Sequence, residues 1–131
     1  PRVANLGTIT RGSERMKTFV AIFTGTPDGM ARFQSLPQPE RQRLESAGMK
    51  AWGEWMERHR DALVDGGAPV GKTKRVTAQG VSDVGNGSGA YTIVRAETHD
   101  AAARMFVGHP HFTIFPGDGV EIMERLPIPG G

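Results

Sequence analysis

Two of the four histidines in this 131-residue chain, His109 and His111, flank a proline in the stretch FVGHPHFTIF, residues 106–115. An unperturbed imidazole titrates near neutrality, so it can take up a proton and hand it on at physiological pH. If the chain past Pro110 is extended, residues two apart point to the same side and both rings face one cleft. The competing reading is structural: His109 ends a helix beside its last carbonyls, where a cation is favoured. A metal site would need a third and usually a fourth ligand. His99, Asp100 and Asp118 are near in sequence, but their spacing matches no known ligand set, and no metal is assigned.

Asp65, in LVDGG, could orient an imidazole as carboxylates do in catalytic pairs. It is equally suited to a turn, bonding its own backbone ahead of Gly66. Trp52, Trp55 and His59 lie on one stripe of a helical pattern, either as the wall of a site for a planar ligand or as core. Tyr91, the only tyrosine, offers a hydroxyl to a substrate if its ring faces the helices, or packs against a second chain if it does not. Phe112, beside His111, completes the expected substrate contacts.

Other chemistries lack their residues. With no cysteine, thiol catalysis, disulfides and zinc-thiolate sites are excluded. No GxSxG elbow is present, and neither GxGxxG nor a Walker A sequence opens a helix, so neither a serine nucleophile nor a nucleotide cofactor is expected. The pI of about 9.4 suggests nucleic acid until the charges are located. Three of the sixteen basic residues (Arg2, Arg11, Arg15) and one of the fourteen acidic residues (Glu14) fall in 1–15, so the excess of +2 sits there and the remainder is neutral. A neutral domain has no source for phosphate-neutralising affinity, and nucleic-acid binding is set aside. Residues 1–15 also lack hydrophobic periodicity and a signal-peptide core, and are expected to be a disordered or expression-derived extension ahead of a single domain over 16–131. No apolar run approaches the length of a membrane span. Together with the absence of cysteine, this gives the expectation of a cytoplasmic protein.

The elements that must position these residues are legible in outline. KTFVAIFTG (17–25) reads as a strand covered on both faces, and TPDGM as a turn. Glu40 to Leu63 carries apolar residues at three- and four-residue spacing, a helix with a bend or break plausible at Gly48. A short extended segment (63–71), an exposed strand (72–80) and a Gly/Asn/Ser loop follow, then the strand AYTIVRAE (90–97). Thr98 is suited to cap the helix HDAAARMFV, Gly108 to end it in a left-handed turn, and Pro110 to prevent its continuation. VEIMERLPI (120–128) is the last strand. This βαββαβ order predicts an α+β sandwich of ferredoxin-like type, an antiparallel sheet with two helices on one face. The other face needs a cover, and a second copy of the chain supplies one.

Four stretches carry a resemblance: MKTFVAIFTG, AWGEWMERHRDALVDGGAPVG, GAYTIVRAETHDAAARMFVGHPHF and VEIMERLP. Across residues 16–128 the chain resembles the YCII-related proteins of the dimeric α+β barrel superfamily. That resemblance implies the fold, a homodimer and a cleft for a small molecule. A characterised branch removes chloride from hydroxylated chloroaromatics, and wider relatives include lactone isomerases and cofactor-free monooxygenases. Members with a proposed site pair a helix-one histidine with an aspartate in an Asp-Pro step. Here that step corresponds to His109-Pro110, and Met49 to Trp52 contains no histidine, so the branch's pattern is not reproduced. The expectation is a cofactor-free enzyme that moves a proton at His109 or His111, with elimination or isomerisation of a small cyclic or aromatic substrate. The alternative is a non-catalytic dimeric module that binds a small molecule or a protein.

Overall fold

The computed structural model describes residues 16–130, so the expectation for the first fifteen residues lies outside the described residues. Strand β1 (Lys17–Gly25) leads through helix α1 (Pro27–Gln34) to the long helix α2 (Gln38–Arg58) and a single 3-10 turn (Arg60–Ala62). Then come β2 (Leu63–Pro69), β3 (Thr73–Thr77), β4 (Gly80–Val84) and β5 (Ser88–Ala96). Helix α3 (His99–Arg104), the short helix α4 (Pro110–Thr113) and β6 (Gly117–Glu124) finish the chain.

Four strands form one antiparallel sheet in the order β2-β5-β1-β6, while β3 and β4 pair only with each other. With that hairpin removed, the order is the ferredoxin-like one anticipated from the sequence. Period-two alternation decides which residues are covered. Phe19, Ala21 and Phe23 of β1 and Thr92, Val94 and Ala96 of β5 are buried against Trp55, Ala102 and Phe106 of the helical layer. The intervening Val20, Ile22, Tyr91 and Ile93 are only half-buried, and Met123 opposite Val20 is exposed. One face of the sheet is therefore core, and the other is open and apolar in the single chain.

Several boundaries differ from the sequence reading, each for a local reason. TPDGM is not a turn but the start of α1: Thr26 caps the Gly29 N–H at 3.0 Å, Pro27 occupies the first turn, and Asp28 faces the positive helix end. Helix α2 runs unbroken past Gly48, because that glycine is where the Phe115 ring lies on the helix; a Cβ there would overlap it. The strand beside β5 is β2, not 72–80, and part of the expected loop forms β4 of a projecting hairpin. The segment after Pro110 is a helical turn rather than extended chain. Gly108, at φ +74°, adopts the left-handed conformation anticipated for it, and Thr98 caps α3 through the Ala101 N–H at 3.0 Å.

Candidate functional site

The chain leaves α3, turns at Gly108 and enters α4 with His109 as the capping residue. The Nδ1 of His109 accepts the His111 backbone N–H at 2.9 Å. A nitrogen that accepts carries no proton, so neutral His109 holds its hydrogen on Nε2. The ring is 0% exposed. Around it stand Trp52 at a centroid distance of 4.5 Å, Trp55 at 4.7 Å, Phe23 at 5.0 Å and Phe106 at 5.9 Å. Among the described residues, the Nε2 of His109 is the only buried side-chain nitrogen or oxygen without a hydrogen-bond partner. The Trp52 ring, perpendicular to the imidazole, is its nearest aromatic neighbour.

That setting opposes a charge. Burial first, then electrostatic repulsion from His111, His59 and Arg58, pushes the pKa of His109 down to about 4. Protonating Nδ1 would also abolish the capping bond, so the geometry and the electrostatics agree on a neutral ring.

His111 is half-buried and differently held. Its Nε2 lies 2.6 Å from the Thr24 carbonyl. A carbonyl can only accept, so Nε2 carries the proton and donates it there. The lone pair of the neutral ring is consequently on Nδ1, which has no hydrogen bond among the described residues and is not a buried orphan. Gly117 makes this position possible: a side chain there would overlap the His111 ring. Thr24 is itself fixed, since its hydroxyl donates to Asp118 Oδ1 at 2.6 Å. Phe23 and Trp52 flank the ring at 5.1 and 6.1 Å, and Phe115 lies 6.0 Å from Trp52.

The fold thus gathers Trp52, His109 and His111, and separates them from the other candidates. Asp65 lies across the sheet: it pairs with Ile93 of the open face, accepts the Gly67 N–H at 2.8 Å and sits 3.4 Å from the Tyr91 hydroxyl. Neither Asp65 nor Tyr91 reaches the imidazoles, because successive strand residues point to opposite faces. Trp55, at 2% exposure, is core, and its Nε1 donates to the Met105 carbonyl at 2.8 Å. His59 packs on Trp55 at 4.7 Å, where burial foremost and Arg58 next lower its pKa. Phe112 lines an apolar recess of about 280 Å³ with Phe106, Val107, Asp118, Val120 and Ile122, in which neither His109 nor His111 takes part. His109, being wholly enclosed, does not face a cleft as expected, and the capping bond shows why.

Thr24 and Gly117 were not singled out from the sequence, and Asp118 was weighed there only as a metal ligand. A backbone carbonyl that selects a tautomer has no residue signature, and PGDG offers only a turn signal. Among the described residues, no group of three histidine, aspartate or glutamate side chains could hold a metal ion. His99 donates to the Ile122 carbonyl at 2.7 Å, and Asp100 pairs with Arg104. Among the described residues, no helix is long and apolar enough to cross a membrane.

No family model matches the chain, and no curated protein matches it. Among solved structures, the chain is similar to 5-chloro-2-hydroxyhydroquinone dehydrochlorinase (TftG) from Burkholderia phenoliruptrix AC1100, in complex with 2,5-dihydroxybenzoquinone. The identity is 15% over 84% of this chain and 93% of that one, with a TM-score of 0.48. At that level of likeness none of its chemistry is transferred to this chain.

Proposed function

We propose that the chain is a homodimeric, YCII-like, cofactor-free enzyme in which His111 moves a proton on a small cyclic or aromatic substrate. The observation that carries this reading is the state of His111. Its Nε2–H is anchored on the Thr24 carbonyl, so the basic lone pair is on Nδ1, the nitrogen with no hydrogen bond and some access to solvent. A general base is prepared in this way, with the tautomer fixed by the group on its other nitrogen. Nδ1 would take a proton from a carbon made acidic by a neighbouring carbonyl. It would return that proton elsewhere in an isomerisation, or retain it while a leaving group departs with its electron pair in an elimination. Trp52, half-buried beside the ring, provides a flat contact for a planar substrate.

His109 acts as a positioning residue here: neutral, enclosed, and holding the His111 backbone. Its burial is also what favours the second reading, a binding module without turnover, because one of the two imidazoles is structural. The open sheet face, with Val20, Ile22, Ile93 and Met123, supports the homodimer.

Lactones and halogenated phenols tested for turnover with the intact chain separate the two readings. The enzyme reading expects turnover that falls at least 100-fold, as is typical of a lost acid–base group, in His111→Gln while the fold is retained. Unchanged turnover in that variant would overturn it, and saturable binding with no turnover of any substrate would favour the module.

A further inference from the structure

The open face of the sheet carries charge as well as apolar surface, and the strand registers sort both into rows that run across the strands. One row is Arg95, Thr18 and Arg125: Thr18 pairs with Arg95, and its carbonyl accepts the Arg125 N–H at 2.8 Å. The next row is Asp65, Ile93, Val20 and Met123, and the one after it Tyr91, Ile22 and Glu121. Successive rows are two residues, roughly 6.7 Å, apart. Glu97 follows the end of β5, outside these rows.

Arg95, Arg125 and Glu121 are exposed and form no ion pair among the described residues. The Asp65 carboxylate accepts the Gly67 N–H and lies 3.4 Å from the Tyr91 hydroxyl, so its charge leans out of its own row toward the Tyr91 row. The face is therefore basic on one side of the Val20 row and acidic on the other. Two arginines and two carboxylates balance, but within one chain they are held apart. Burying such a face is favourable only when its charges find partners.

We propose that this face stacks on the same face of a second copy about a two-fold axis that crosses the strands over the Val20 row. That rotation exchanges the flanking rows. Arg125 comes opposite the partner's Glu121, and Arg95 comes opposite the partner's Tyr91, beside the partner's Asp65. Each pairing occurs twice, across a gap of about 10 Å between stacked sheets that long side chains bridge. Val20, Ile93 and Met123 meet their own counterparts. Asp65 shares their row at the sheet edge, and its lean toward Tyr91 takes its carboxylate to the partner's Arg95. Other axes match less. An axis along the strands keeps each row over itself, so the arginines meet no carboxylate. An axis over the Ile22 row sets Glu121 against its own copy, and one between the two rows sets it against Met123. This orientation rests on the homodimer inferred above and is independent of whether His111 is catalytic.

Because the chain contains no cysteine, single thiols locate the axis. Val20→Cys is expected to form an intermolecular disulfide about tenfold faster than Thr18→Cys or Ile22→Cys alone, since only the first faces its own copy, whereas those two react with each other when mixed. A charge exchange provides the second arm. Glu121→Arg and Arg125→Glu should each raise the dimer dissociation constant about tenfold, and an equal mixture should recover it, because the mixed dimer restores both ion pairs. Equal rates for the three thiols, or a mixture that associates no better than its components, would overturn this orientation while leaving a dimer that Ile93→Asp dissociates. A wild type that sediments as a single chain would overturn the homodimer and the orientation together.

Discussion

His109 and His111 are one mechanical unit: the ring of the first accepts the backbone N–H of the second at 2.9 Å. A proton on that accepting nitrogen breaks the unit. The site's geometry therefore depends on a residue that touches no solvent, and whatever His111 does is conditional on His109 remaining neutral.

The first consequence is a pH dependence of stability. His109 is near 4 when folded and about 6.5 when unfolded. Between those values the unfolded chain binds more protons, so stability rises with pH. The contribution is fully present above about pH 6.5, is lost as pH falls toward 4, and amounts to about 3 kcal/mol. His109→Asn retains a capping oxygen and does not titrate there. Denaturant titrations at pH 7.5 and 4.5 should show the wild type losing roughly 2 kcal/mol more than this variant. Equal losses would contradict the account of His109.

Gly117→Ala is a stringent local test. The added methyl would overlap the His111 ring, which must then leave the Thr24 carbonyl. Turnover should fall by more than tenfold, with a stability loss of about 1–3 kcal/mol from overpacking. Asp118→Asn, which still accepts the Thr24 hydroxyl, should have a much smaller effect on both.

Asp65→Asn serves as the counterpart on the other face. Its carboxylate meets Gly67 and Tyr91, not an imidazole. Turnover should stay within twofold of wild type. A loss approaching that of His111→Gln would mean that a carboxylate across the sheet reaches the site.

The open face predicts its own disruption. Ile93→Asp places a charge among Val20, Ile22 and Tyr91 without entering the helix-covered core. If that face joins two copies as proposed, sedimentation of this variant should give the mass of a single chain, with near-native circular dichroism. A mass unchanged from wild type would remove that face as the dimer interface.

How much of this was legible in the sequence follows from what each residue can signal. Alternation in 17–25 and 90–97 located the two central strands, and Thr98, Gly108 and Pro110 marked the second helix because caps and stops are chemical signatures. The exposed strand at 72–80 was anticipated, but its pairing with β4 was not, because GVSDV lacks an apolar face turned to the body and VSDVGNGSG is dominated by turn residues. Helix α1 was missed because its glycine and two flanking prolines outweighed the Thr26 cap. At the site, His109 and His111 stood out as residue types. Their division of labour did not, since it depends on a backbone N–H, a carbonyl and the rings of Trp52 and Phe23 brought together by the fold. Asp65 looked like a partner for them only while the sheet between was unknown.

The central claim is that the neutral His111 carries its proton on Nε2 and its lone pair on Nδ1. Long-range proton–nitrogen correlation of the imidazoles at pH 8 reads this directly, with Thr24→Ala left as a control because it keeps the carbonyl. The account predicts protonated Nε2 in both His109 and His111, and an unprotonated Nδ1 in each. A protonated Nδ1 on His111, or an averaged pair of tautomers, would contradict it.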